Sequence, residues 1–150
     1  MKSSGLKSQI LRLKNGVAPI VFSDVKSKKN PQKTLMFYNH SDAPPAEPCD
    51  LGVDAPFIGI RKGNKMFGRG STDDKGELIT RIKAVEACLA ATGDVPCNIK
   101  FVIEGEEETG SAHIEQYLKK YKKKFSNDGV IWEFGYVDAK NRPIIGLGMK

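Results

Sequence analysis

Cysteine is scarce in this chain, and its spacing is unhelpful. Cys49, Cys88 and Cys97 are odd in number and form no CxxC pair, which speaks against a disulfide framework and for free thiols in a reducing, cytoplasmic compartment. Long apolar runs are missing: none approaches the roughly 20 residues of a membrane-spanning helix. The opening Met1-Lys2-Ser3-Ser4-Gly5 leads into alternating polar and apolar residues, unlike a signal peptide. No membrane partner is therefore expected. Basic motifs interleaved with aromatics are missing too. The net charge of +6 is concentrated in Lys26-Ser27-Lys28-Lys29 and Lys119-Lys120-Tyr121-Lys122-Lys123-Lys124. These read as a loop and an exposed helix end, so a solvated face is expected and a nucleic-acid partner is not. The 150 residues, without internal repeats, suffice for one domain with a core.

What is present reads as alternating strands and helices. Residues 8–14 and 18–25 are predicted strands joined by the hairpin signal Asn15-Gly16. Thr34-Leu35-Met36-Phe37-Tyr38 is a buried-strand run ending at His40, and the proline-rich segment 43–56 reads as a structured loop. A second hairpin turns at Gly63-Asn64. Leu78, Ile82, Val85 and Leu89 share one face of a predicted helix over 75–92, with Gly93 as its C-terminal glycine. A strand over 98–103 follows. A helix over about 111–123 comes next, with Ser111 near its cap and Ile114, Tyr117, Leu118 and Tyr121 inward. Strands at 129–132 and 143–147 close the set. The order predicts an α/β fold: three layers, with a mixed, largely parallel sheet covered by helices. The last strand runs into Gly148-Met149-Lys150 without a turn, so the chain is expected to be part of a longer domain.

Acidic residues and one histidine cluster just past these strands, where open α/β sheets present functional groups. His40 and Asp42 flank one residue in extended backbone, so imidazole and carboxylate share a face. A carboxylate in that position can orient a metal-ligating histidine, although an ordinary surface pair has the same pattern. Asp73 and Asp74 precede the helix at 75, where capping accounts for one of them and a bridge between cations for a second. Four glutamates, Glu104, Glu106, Glu107 and Glu108, lie within five positions after an apolar strand. They repel one another unless a cation or partner offsets them. Adjacent members can divide labour, one holding a metal and the next accepting a proton from water. Glu133 ends another apolar strand, and Asp138 is a weaker candidate. His113 reads as a surface histidine.

The segments Tyr38-Asn39-His40-Ser41-Asp42-Ala43-Pro44-Pro45, Gly68-Arg69-Gly70-Ser71-Thr72-Asp73-Asp74-Lys75-Gly76 and Glu104-Gly105-Glu106-Glu107-Glu108-Thr109-Gly110-Ser111 together resemble the co-catalytic dizinc peptidase and deacylase family. That family includes carnosinase-type dipeptidases, glutamate carboxypeptidase, aminoacylase and succinyl-diaminopimelate desuccinylase. The resemblance implies two zinc ions, with His40 and Glu133 on the first, Asp73 bridging and Glu108 on the second. It implies Glu107 as general base, Asp42 as the support of His40, and a cis peptide bond between Asp73 and Asp74. It further implies that residues 1–150 are a partial catalytic domain. The lid and dimerisation domain and the remaining catalytic part, with one more zinc-binding histidine, would lie elsewhere, and the whole protein would be a homodimer.

The expected activity is hydrolysis of dipeptides or N-acyl amino acids by metal-activated water, with residues 1–150 inactive alone. Two other readings stand beside it. One is a non-catalytic binding or interaction fragment that keeps the fold. The other is a magnesium-dependent phosphate enzyme, which His40 as a ligand disfavours.

Overall fold

The apolar run at 98–103 becomes the centre of the molecule. Strand β6 (Asn98–Glu104) is buried at all seven positions, because both faces of the sheet are covered there. The computed structural model describes residues 1, 5–14, 16–46, 56–133, 137–140 and 142–144. Besides β6 it contains β1 (Ser8–Leu11), β2 (Ile20–Val25), β3 (Thr34–His40), β4 (Ile60–Lys62), β5 (Lys65–Phe67) and β7 (Gly129–Ile131). The helices are α1 (Lys75–Thr92), α2 (Ile114–Lys120) and α3 (Lys122–Phe125). Five strands form one sheet in the order β1-β2-β6-β3-β7, and β4-β5 is a separate hairpin.

The sheet is mixed, and evenly so. β1–β2 and β2–β6 pair antiparallel, whereas β3–β6 and β3–β7 pair parallel. The expected parallel majority is not realised among the described residues, because the amino-terminal hairpin joins the sheet through its second strand. Predicted strand residues 145–147, the hairpin residue Asn15 and most of the proline-rich loop lie outside the described residues.

Alternation along the strands sorts side chains into two cores. Met36 and Val102 pack with Phe22, Tyr117 and Phe125 on the α2–α3 face. Leu35, Phe37, Ile99 and Phe101 pack with Ile82 and Val85 on the α1 face. These are the three layers expected of the sequence. Helix α1 has the bounds its periodicity predicts, and the Gly93 N–H closes it on the Leu89 carbonyl with φ at 68°.

The second helix departs from expectation. It begins at Ile114 and breaks at Tyr121 before α3. Ser111 is no cap: its φ is 51° and its hydroxyl donates to Glu104 instead. Leu118, expected inside, is 44% exposed. It borders a cavity of about 510 Å³ between α2 and the edge strand β7, also lined by Met36, Tyr38, Val102 and Trp132.

One topological fact positions the site. After β3 the chain crosses by α1 on one face to β6, and after β6 it crosses by α2 and α3 on the other face to β7. Neighbouring strands whose connections leave toward opposite faces open a crevice at their carboxyl ends. His40 is the last residue of β3, and Glu104 lies opposite it in β6. Both stand at that crevice.

Candidate metal centre

Buried His40 gathers carboxylates on both ring nitrogens. Its Nδ1 lies 3.2 Å from Asp42 Oδ1, the i, i+2 pairing that extended backbone allows. Its Nε2 lies 2.9 Å from Asp73 Oδ1 and 3.1 Å from Glu133 Oε2. A neutral imidazole has one N–H and one lone pair. With the proton on Nδ1 for Asp42, the lone pair of Nε2 faces two carboxylate oxygens. The Glu133 Oε2 atom is buried and accepts no hydrogen bond from the described residues. A cation between these atoms resolves both the repulsion and the orphaned oxygen, so the donor set fits a metal ion.

The glutamate run splits four ways. Glu104 turns inward, 3% exposed, and accepts hydrogen bonds from the Tyr38 and Ser111 hydroxyls. Burial pushes its pKa up, although the Ser111 hydrogen bond opposes this. Glu106 pairs with His113 Nδ1 at 2.8 Å, which accounts for that histidine. Glu107 offers an oxygen to the same space as His40 and Glu133. Glu108 does so with His40 and Asp73; within each trio the ligand atoms lie within 4.8 Å of one another. Thus Glu107 and Glu108 diverge from one 3-10 turn (Glu107–Thr109) while facing a common centre. The Glu108 N–H donates to Asp42 Oδ2 at 3.0 Å.

Asp73 and Asp74 are joined by a cis peptide bond, as the resemblance implies, and part company. Asp73 points at His40. Asp74 is fully buried and does not cap α1 with its side chain. Its Oδ2 instead accepts the Asn39 side-chain amide at 2.7 Å and the His40 backbone N–H at 2.9 Å. Capping therefore accounts for neither aspartate. Asp138 is occupied elsewhere: it accepts the backbone N–H groups of Lys140 and Arg142 and pairs with the Arg142 guanidinium. It belongs to a turn.

The electrostatics match a site built to hold a cation. Burial, then the nearby charge of Glu107, pushes Glu133 up to about 7, with His40 acting in the opposite sense. Burial lowers the His40 pKa, but the Asp73 hydrogen bond and the charges of Glu133, Asp74 and Asp42 outweigh it, for a net rise. Two residues near the site escaped the sequence reading. Glu104 was indistinguishable from its neighbours in the acidic run. Arg81 had a signal, since it falls three residues after Leu78 and four before Val85 on the apolar stripe of α1. Its guanidinium donates to the Tyr38 and Trp132 carbonyls at 3.0 and 2.7 Å.

Residues 36–145 match peptidase family M20/M25/M40. The chain is 39% identical over 137 residues to the Beta-Ala-His dipeptidase of Homo sapiens, covering 89% of this chain and 27% of that protein. It is 35% identical over 122 residues to the Cys-Gly metallodipeptidase dug1 of Schizosaccharomyces pombe, covering 79% of this chain and 26% of that protein. The crystal structure of the M20 family metallo-carboxypeptidase Sso-CP2 from Sulfolobus solfataricus superposes with a TM-score of 0.81 at 34% identity, over 93% of this chain and 31% of that one. The chain belongs to peptidase family M20/M25/M40, and its mixed sheet with covering helices is the fold of that family's catalytic domains. It spans about a quarter of the length of these curated relatives.

Proposed function

We propose that residues 1–150 form part of the catalytic domain of a zinc-dependent hydrolase cleaving the amide bond of dipeptides or N-acyl amino acids. One observation carries this reading: a buried Glu133 oxygen without a hydrogen bond among the described residues, beside a histidine nitrogen already facing Asp73. Imidazole nitrogen combined with carboxylate oxygens favours zinc over magnesium. His40, Asp73 and Glu133 would hold one ion, and Asp73 with Glu108 would face a second. When bound, zinc supplies Lewis acidity toward a carbonyl and acidifies water.

The chain's own groups do the rest. Asp42 holds the imidazole by Nδ1, which fixes the tautomer that leaves Nε2 free to ligate. Glu107 takes a proton from the attacking water and passes it to the departing amine nitrogen, the general-base and then general-acid role. Relatives named Beta-Ala-His dipeptidase and Cys-Gly metallodipeptidase support a dipeptide as substrate. The free thiols Cys88 and Cys97 support a reducing, cytoplasmic setting.

Calorimetric titration of the metal-free chain with zinc tests the reading. Uptake that His40→Ala abolishes and Glu133→Gln weakens is expected. Absence of measurable uptake by the unsubstituted chain would sink it.

A further inference from the structure

The ladder between β3 and β7 stops early. Its last registered pair is Phe37 with Ile131, yet the groups that matter for the site come later on both strands. His40 is three residues beyond Phe37, and Glu133 is two beyond Ile131. Something other than sheet hydrogen bonding must hold these exits together, because the His40–Glu133 separation of 3.1 Å leaves little tolerance.

Arg81 occupies that gap from below. One nitrogen of its guanidinium, Nη1, donates to the Tyr38 carbonyl at 3.0 Å; the other, Nη2, donates to the Trp132 carbonyl at 2.7 Å. Those carbonyls lie two residues before His40 and one before Glu133. The side chain is 11% exposed, and Glu77 one turn back braces Nη2 at 2.8 Å. The Phe37 ring lies 5.8 Å from the guanidinium carbon. The Tyr38 and Trp132 rings meet edge to face, with centroids 5.9 Å apart. A guanidinium is a rigid planar fork, so it fixes the spacing of two acceptors in a way an ammonium cannot.

We propose that Arg81 is a positioning residue for the metal centre: by fastening the exits of β3 and β7 to one fork, it sets the gap between His40 and Glu133. It reaches no reacting atom. The inference rests on the zinc reading above and adds to it a residue that ligand chemistry alone would not single out.

The test uses the 150-residue chain, with zinc affinity measured by competition against a chromophoric chelator and site geometry read from the visible spectrum of bound cobalt(II). Arg81→Met and Arg81→Lys are each expected to weaken zinc binding about tenfold, the lower end of the loss seen when a group orienting a metal ligand is removed. The cobalt spectrum is expected to shift in both. The decisive arm repeats Arg81→Met in a Glu133→Gln background. If Arg81 acts through Glu133, its substitution there should cost little further affinity; an equal loss in both backgrounds overturns the inference and leaves Arg81 a general stabiliser. Should Arg81→Met fail to fold, Arg81→Lys, which keeps the charge beside Glu77, decides by the same criterion. Unchanged affinity and spectrum in folded variants also overturn it. No zinc uptake by the unsubstituted chain overturns the zinc reading first, and the inference with it.

Discussion

Asp42 joins His40 to Glu108: one carboxylate oxygen lies 3.2 Å from His40 Nδ1, and the other accepts the Glu108 N–H at 3.0 Å. The end of β3 and the glutamate turn after β6 are thereby tied through a single side chain. Asp42→Ala cuts both ties and should weaken zinc binding by about ten- to a hundredfold. Asp42→Asn can keep the Glu108 contact through its amide oxygen but loses one acceptor. An intermediate loss is expected for it, measured by the same chelator competition.

Stoichiometry follows from ligand supply. On the proposed assignment one ion would draw on His40, Asp73 and Glu133, while a second would have only Asp73 and Glu108, below the four donors zinc prefers. Titration of residues 1–150 should therefore show one tight step and at most a weak second one, with little dipeptide turnover. Two tight steps with ready hydrolysis would contradict this.

As the proposed general base, Glu107 should separate binding from turnover. In a protein competent for hydrolysis, Glu107→Gln should leave the zinc content within about twofold while lowering kcat by roughly a hundredfold to ten-thousandfold, the span attributed to general acid–base groups. Metal analysis and a dipeptide assay on the same sample check it. Retained turnover would assign the proton transfer to another group.

The pH response has a definite sign. Glu133 is raised to about 7 in the folded chain, so between its unfolded value and that pH the folded state holds the extra proton. Its contribution to metal-free stability is present at low pH and is lost as pH rises through about 7. His40, also raised, acts in the same direction, since its protonated form is favoured by folding. The Tm of the metal-free chain relative to Glu133→Gln should fall from pH 5 to 8. Zinc affinity should rise over the same window, because ligation displaces the proton.

Asp74 offers a stability test at a residue that is not itself a candidate ligand. Its Oδ2 satisfies two buried donors, the Asn39 amide and the His40 N–H. Asp74→Ala strands both and should lower unfolding free energy by about 2–4 kcal/mol, from the cost of unpaired buried donors. Urea denaturation measures it.

The legible parts of this chain were those written in local periodicity. Helix α1 and strands β3 and β6 follow from apolar spacing alone, and the ligand candidates follow from where those strands end. Partner choice between strands was not legible. Nothing in residues 20–25 says that β2 pairs antiparallel with β6, because that pairing depends on residues some eighty positions away. The division of the glutamates was equally hidden, since Glu104 is set apart only by the hydroxyls of Tyr38 and Ser111 that three-dimensional packing brings to it. The break at Tyr121 reflects tertiary demand: its hydroxyl donates to the Arg12 carbonyl, a tie to the first hairpin that no helical pattern encodes.

The opposed crossovers around β3 give metal capture a mechanical meaning. Asp73 arrives from the connection that runs over one side of the sheet, and Glu107 and Glu108 begin the connection that runs over the other. An ion held by these residues would act as a rivet through the sheet's rim, clamping both outer layers to the same strand end. Part of its binding energy would then become resistance to peeling either layer away, and a chelator should loosen the two together.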